Sequence, residues 1–209
     1  MMRIEKLSTT PDRAGRYRLT LDDGKNLRLY RQTVEDFGLY TGMEMTDEEF
    51  ARLQEAAGQM SAKMRAVRIV SASAVSKKDL TRRLVQKGET PEQAKAAVEW
   101  MEDLDLLDDR KTAEQIVSRC IHRGYGIARA RQALYEKQIP KNLWDEVLAD
   151  YPDQASYIRE YLCAHLIDGA DQKQIKKVID ALIRRGHSYG VIRHQLDDLC
   201  FDNQEPWED

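Results

Sequence analysis

The feature that most constrains this chain is an internal repeat. Three stretches share one shape: Leu80-Thr81-Arg82-Arg83-Leu84-Val85-Gln86-Lys87-Gly88, Ala130-Arg131-Gln132-Ala133-Leu134-Tyr135-Glu136-Lys137-Gln138 and Ile179-Asp180-Ala181-Leu182-Ile183-Arg184-Arg185-Gly186. Their leucines, Leu84, Leu134 and Leu182, stand 50 and 48 residues apart. Downstream columns match as well: Val98, Leu148 and Leu196, then Met101, Tyr151 and Leu199. Upstream, Ala66, Ile116 and Ala164 form one column, and Val67, Val117 and His165 another, with His165 its polar misfit. A repeat of this length with apolar positions at helical spacing describes modules that cannot bury their faces alone and must stack on their neighbours. The expectation is a mainly α chain: an elongated solenoid of three tandem three-helix repeats. Such a body offers an extended surface instead of a closed pocket.

Local signals fit this plan. Thr46-Asp47-Glu48-Glu49 is a capping box, in which the threonine hydroxyl and the glutamate each satisfy a backbone N–H at the helix start. Thr90 precedes Pro91 and has Gln93 three residues on, while Ser76, Asp108 or Asp109, Pro140 and Ser188 open further helices. Gly88, Gly124, Gly169 and Gly186 fall where helices stop. The count is about nine or ten helices of roughly 10–16 residues. Only the N-terminal region departs from helical spacing. Tyr17-Arg18-Leu19-Thr20-Leu21 and Leu27-Arg28-Leu29-Tyr30 alternate with period two around Asp22-Asp23-Gly24-Lys25. Asp-Gly there predicts a hairpin turn with both central residues at positive φ. With Arg3 to Leu7 this gives a small sheet of about three strands, too short to stand without helical support. The predicted organisation is a β-rich region over 1–45, a connecting helix over 46–60, three-helix repeats over 61–108, 109–152 and 153–201, and an acidic tail over 202–209.

Composition supports helices: 11 Gly and 5 Pro in 209 residues are few for a turn-rich β fold. The net charge of −3 conceals a gradient. Residues 1–60 carry −2, residues 61–143 carry +6 and residues 144–209 carry −7. A basic middle suits a polyanionic or acidic partner, although charged helical surfaces alone explain such a value equally well. Cys120, Cys163 and Cys200 are odd in number and far apart, which reads as reduced, buried thiols in a cytoplasmic protein. The start of the chain has no apolar stretch of a secretory signal, and no run approaches a membrane span.

Motifs for chemistry are sparse. There is no phosphate loop and no HExxH, and the four histidines lack metal spacing. Gly124-Tyr125-Gly126-Ile127-Ala128-Arg129 begins like a dinucleotide fingerprint but has arginine at the third glycine and follows a helix, so it reads as an inter-helix turn. Asp108-Asp109 and Asp197-Asp198 are better explained as caps and solvated faces than as acid/base pairs. The chain is expected to be neither an enzyme nor dependent on a metal or cofactor.

The densest pattern is Leu107-Asp108-Asp109-Arg110-Lys111-Thr112-Ala113, then Arg119-Cys120-Ile121-His122-Arg123-Gly124-Tyr125-Gly126-Ile127-Ala128-Arg129, then Leu134-Tyr135-Glu136-Lys137-Gln138-Ile139. It resembles the RecX family of RecA regulators, whose pattern has an apolar-Asp-Asp opening, a basic helix ending in Gly-x-Gly, a following arginine, and Leu before Lys-Gly-Ile. Gln138 replaces the family glycine, and the third unit is divergent and acidic. Ser76, Leu80, Leu84 and Lys87-Gly88 match in the first unit, and the Asp-Gly hairpin with Phe37-Gly38-Leu39 looks like longer members. The resemblance implies a non-enzymatic cytoplasmic protein that binds RecA in the groove of its DNA filament. It would inhibit RecA ATPase, strand exchange and co-protease activity, with consequences for DNA repair, recombination and the SOS response.

The residues expected to meet a partner are Arg82, Arg83, Lys87, Arg119, Arg123, Tyr125, Arg129 and Arg131. Arg83 and Lys87, like Arg119 and Arg123, are one helical turn apart. Solubility and ion pairing are the competing roles. Tyr125 is either exposed for stacking or, more in keeping with its place, a buried wedge. Gly88, Gly124, Gly126 and Gly186 are expected to shape turns. The chain is expected to be a monomer with RecA and the RecA–DNA filament as partners, no membrane, and weak direct binding to single- or double-stranded DNA at most. The alternative is a direct DNA-binding helical repeat. Against it stand the low aromatic content of 7% and the acidic C-terminal zone.

Overall fold

A computed structural model describes residues 1–166 and 171–202, the last three by backbone alone. Its contacts divide the chain into two compact units, Met1–Leu107 and Asp108 onward.

The first unit opens with β1 (Met2–Leu7), β2 (Arg16–Leu21) and β3 (Asn26–Tyr30), then α1 (Arg31–Asp36) and β4 (Glu44–Met45). These strands form an antiparallel sheet in the order β3-β2-β1-β4. The fourth strand is an addition to the expected three. At two residues it is too short to carry an alternating signature, and pairing with Met2 and Arg3 is what makes it a strand. The hairpin turn also differs from expectation. Only Gly24 is left-handed, at φ 82°. The Asp23 carboxylate accepts the Lys25 N–H at 2.9 Å, a local turn that needs no positive φ at the aspartate. Register slips between Ile4 and Lys6 on β1, which lets Ile4 and Leu7 both face the core.

The sheet packs on α2 (Asp47–Ala72), a 26-residue helix whose capping box at Thr46 and Glu49 is formed. Phe50, Leu53 and Ala57 from its first half meet Ile4, Leu19, Leu21 and Leu29 from the sheet. Its second half supplies Ala62 and Ala66 to another core, shared with α3 (Lys77–Gln86) and α4 (Pro91–Asp103). The helix passes residue 60 without a break.

The second unit holds two more triplets. The helices α5 (Asp109–His122), α6 (Ile127–Glu136) and α7 (Trp144–Leu148, after a 3₁₀ turn at Lys141–Leu143) enclose Ala113, Ile116, Val117, Ala130, Leu134 and Leu148. Then α8 (Ala155–His165), α9 (Gln172–Arg184) and α10 (Tyr189–Asp202) enclose Ile158, Leu162, Leu182, Ile192 and Leu196. The described chain is mostly helical, with the small N-terminal sheet before three consecutive helix triplets.

Leu84, Leu134 and Leu182 are completely buried, each in its own triplet's core. Each also closes its helix in the same way. The carbonyls of Leu84, Leu134 and Leu182 accept the N–H groups of Glu89, Ile139 and His187, at 3.2, 3.0 and 3.1 Å. The intervening residue is left-handed each time: Gly88 at φ 94°, Gln138 at φ 55° and Gly186 at φ 87°. This is the Schellman stop, which normally selects glycine because a Cβ is strained there. Gln138 takes the strained conformation, so the helix stops without the glycine.

The third triplet corrects two expectations. Ala164 and His165 are exposed, and the core-facing residues of α8 are Ile158 and Leu162. Alanine and histidine weigh little in an apolar pattern, so counting back from Gly186 misplaces the register of this helix. Cys163 is exposed because it follows Leu162 onto the outer side of α8, whereas Cys120 is buried. Cys200's side chain, Gly169 and the tail beyond 202 lie outside the described residues. No described helix is long and apolar enough to cross a membrane.

Candidate partner-binding face

The basic charge of residues 61–143 is not shared evenly. Residues 61–107, in the first unit, hold nine basic and seven acidic residues, whereas 108–143 hold eight basic and four acidic ones, and two of those four are Asp108 and Asp109 at the start of α5. Past that start, residues 110–143 hold eight basic and two acidic ones, on α5, α6 and their connections.

Helix α5 begins at Asp108, whose carboxylate accepts the N–H groups of Arg110 and Lys111 at 2.8 and 3.2 Å. Those backbone bonds, that from Lys111 foremost, hold its carboxyl below the usual range. One stripe of the helix, Ala113, Ile116, Val117 and Cys120, enters the triplet core. Cys120 is a core side chain, and burial pushes its thiol up. Along the opposite side, Lys111, Glu114, Ser118, Arg119, His122 and Arg123 border a shallow, open depression.

Acidic neighbours are scarce on this face. Glu114 is held by Arg110 at 3.2 Å, and Arg110 also reaches Glu146 at 2.6 Å. Lys111 lies 3.7 Å from Asp108. Arg119 and Arg123 have no acidic partner among the described residues. Both stand at the C-terminal end of α5, where the helix dipole favours cations, so their placement is stable without one. On α6, Arg129 pairs loosely with Glu136 at 3.5 Å, and exposed Arg131 has no acidic partner among the described residues.

The predicted cations of the first unit are employed differently. Asp79, in the first turn of α3, is buried. Arg82 and Arg83 bind it at 2.5 and 2.9 Å. Nearby, Glu89 is buried and receives Arg65 at 3.0 Å and the Ser61 hydroxyl at 3.0 Å. Lys87 is exposed, and its carbonyl accepts from Arg65.

Tyr125 is half-buried and packs on the core of α5–α7. Its carbonyl accepts the Tyr151 hydroxyl at 2.6 Å, and burial pushes the Tyr151 phenol up to about 12. The flanking glycines join two triplets, a role that local sequence does not signal. Gly126 donates its N–H to the Arg185 carbonyl at 2.9 Å, and a Cβ on Gly126 would lie 2.1 Å from the Gly186 oxygen. A Cβ on Gly124 would enter the Tyr157 ring. His187 is buried and stacks on Tyr157 at 5.3 Å, with its Nε2 3.1 Å from the Gly124 carbonyl. Arg185 donates to the Tyr157 hydroxyl at 2.7 Å and lies over Tyr161. Neither partner of each glycine is near it in sequence, so no pattern could have paired them.

Among the described residues no group of three or more His, Cys, Asp or Glu could hold a metal ion. Fold and surface define a protein of tandem three-helix modules presenting a cationic helix face. The family model described as RecX, second three-helix domain, matches residues 108–148, the segment containing that face. Regulatory protein RecX of Vibrio campbellii is 27% identical over 140 residues, covering 66% of this chain and 90% of the relative. Regulatory protein RecX of Clostridioides difficile is 24% identical over 211 residues, covering 97% of both chains. A crystal structure of regulatory protein RecX superposes with a TM-score of 0.62 at 22% identity, over 94% of this chain and all of that one, and so shares the fold. The chain is thus similar in sequence and in fold to the RecX regulatory proteins.

Proposed function

We propose that this chain binds RecA and its filament on DNA and inhibits RecA ATP hydrolysis, strand exchange and co-protease activity, thereby modulating recombination, repair and the SOS response. The relatives' shared name as regulatory proteins supports the regulatory role. The observation that carries the contact is the α5 face, within the segment matched by the RecX domain model. Arg119 and Arg123 are exposed there and have no acidic partner among the described residues, as is true of Arg131 on α6. Such cations suit an acidic protein surface or the DNA backbone inside a filament. In this reading Arg119, Arg123, Arg129 and Arg131 meet the partner. Arg82 and Arg83 chiefly neutralise Asp79, and Tyr125 shapes the turn. The test is DNA-dependent ATP hydrolysis by RecA with the purified protein added. Inhibition near stoichiometric amounts is the expected result, and an unchanged rate at stoichiometric excess overturns the proposal.

The second reading is a DNA-binding helical repeat with no RecA-specific role. The eight basic residues against two acidic ones over 110–143 favour it. It requires duplex or single-strand binding that weakens steeply with salt while RecA activity stays untouched.

A further inference from the structure

The outer face of the N-terminal sheet is rich in hydrogen-bond donors. Along β2 and β3, the buried residues Leu19, Leu21 and Leu29 alternate with Arg18, Thr20 and Arg28 on the other side. Register places Arg18 directly across from Arg28. Like charges in that position destabilise an antiparallel pair. The slip in β1 then brings Lys6 opposite Thr20. Three exposed cations thus come from three adjacent strands, about 5 Å from one strand to the next.

None of these three has an acidic partner among the described residues. The one carboxylate lining this surface, Asp12, is already committed. It accepts from Arg16 at 3.1 and 2.8 Å through the guanidinium, and from the backbone N–H groups of Arg16 and Ala14. Together with Ser8, Thr20 and Asn26, the cations border an open depression whose lining contains no aromatic side chain and only Pro11 as an apolar one.

We propose that this sheet face is a contact for the sugar–phosphate backbone of duplex DNA, with Lys6, Arg18 and Arg28 neutralising phosphates. A polyanion removes the repulsion between Arg18 and Arg28 that the free protein leaves uncompensated. Tyr30, across from Arg16 on the same face, is tied through its hydroxyl to Arg68, and the depression itself is lined by no ring on which the bases of a single strand could stack. Protein partners ordinarily require an apolar centre, which this face lacks. Phosphate contacts need only charge and donors, and both are present. The inference goes beyond the RecA reading and does not depend on it.

The experiment compares the full chain with its Lys6→Gln/Arg18→Gln/Arg28→Gln variant by fluorescence anisotropy on a duplex of about 20 base pairs across a salt series. Each lost phosphate contact removes about 0.9 from the log–log salt slope, so the variant is expected to be shallower by about 2–3 and at least tenfold weaker at low salt. Its melting temperature is expected to equal or exceed that of the parent, because a like-charge pair has gone. Arg28→Gln alone, on the edge strand, is the fallback if the triple variant misfolds, with a slope shallower by about 1. An unchanged slope, or no duplex binding by the parent at low salt, overturns the proposal. Displacement of the duplex from this face by poly-glutamate at equal charge concentration assigns it to acidic protein and also overturns it. Failure of the parent chain to change RecA ATP hydrolysis would sink the proposed function and leave this measurement standing.

Discussion

The first two helix triplets are built on the same frame and use their charges in opposite ways. Each ends its middle helix on a buried leucine, Leu84 or Leu134, with a left-handed residue behind it. In the first triplet the cations turn inward. Arg82 and Arg83 serve Asp79, and Arg65 serves Glu89. In the second, the position matching Glu89 is buried Ile139, and Arg119, Arg123 and Arg131 have no acidic partner among the described residues. A shared architecture therefore says little about which copy meets a partner. The carboxylates set the two surfaces apart, because a buried acid converts neighbouring arginines from surface features into structural ones.

The largest effect tests the shared frame. Leu84→Ala and Leu134→Ala are each expected to cost about 2–5 kcal/mol, the range for a leucine lost from a tight core. Urea unfolding followed by circular dichroism measures both. A loss well under 1 kcal/mol at either position would show that the two leucines are not equivalent anchors.

A second comparison separates the two uses of charge. Arg82→Gln/Arg83→Gln leaves Asp79 buried without counter-charge and is expected to destabilise by about 1–3 kcal/mol, discounted for the partial exposure of both arginines. Its effect on RecA inhibition is expected to be small. Arg119→Gln/Arg123→Gln is expected to leave stability within about 0.5 kcal/mol and to raise the concentration needed for half-inhibition about tenfold. Thermal melts beside the ATPase assay read both quantities, and the opposite pattern would reverse the assignment.

The smallest effect extends the comparison to the third triplet, where the equivalent buried position is His187. Burial holds its imidazole below the usual value of 6.5, outweighing the bond to the Gly124 carbonyl. The unfolded chain therefore takes the proton first as pH falls through about 6.5, so stability declines from there downward and is complete above it. The slope contributed by one such group is at most about 1.4 kcal/mol per pH unit. His187→Gln is expected to flatten the dependence of the melting temperature between pH 7.5 and 5.5. An identical profile in both proteins would remove His187 as its source.

Much of this fold was legible because its stops are chemically distinctive. A buried leucine followed by a left-handed glycine leaves a mark that survives divergence elsewhere, and Gln138 obscures it at only one place. The strand β4 was not legible, since two residues carry no period. Nor was the register of α8, where Ala164 and His165 fit the spacing while Ile158 and Leu162 do the packing. For the surface, charge counting located the basic middle of the chain but could not tell Arg83 from Arg123. Asp79 lies four residues before Arg83 and was visible, but that it is buried follows from the packing of α2 and α4, which local sequence does not state.

The long helix α2 has a consequence for how the N-terminal half can be taken apart. At 26 residues it is a rod about 39 Å long that lends one end to the sheet and the other to the first triplet. Melting either core strips support from the same element, so the two are coupled as one cooperative folding block. Cutting the chain just before Thr46 would not release an intact helical remainder. It would leave Phe50, Leu53 and Ala57 as a greasy, uncovered stub, and poor solubility of such a fragment would reflect the cut instead of any lost regulatory role.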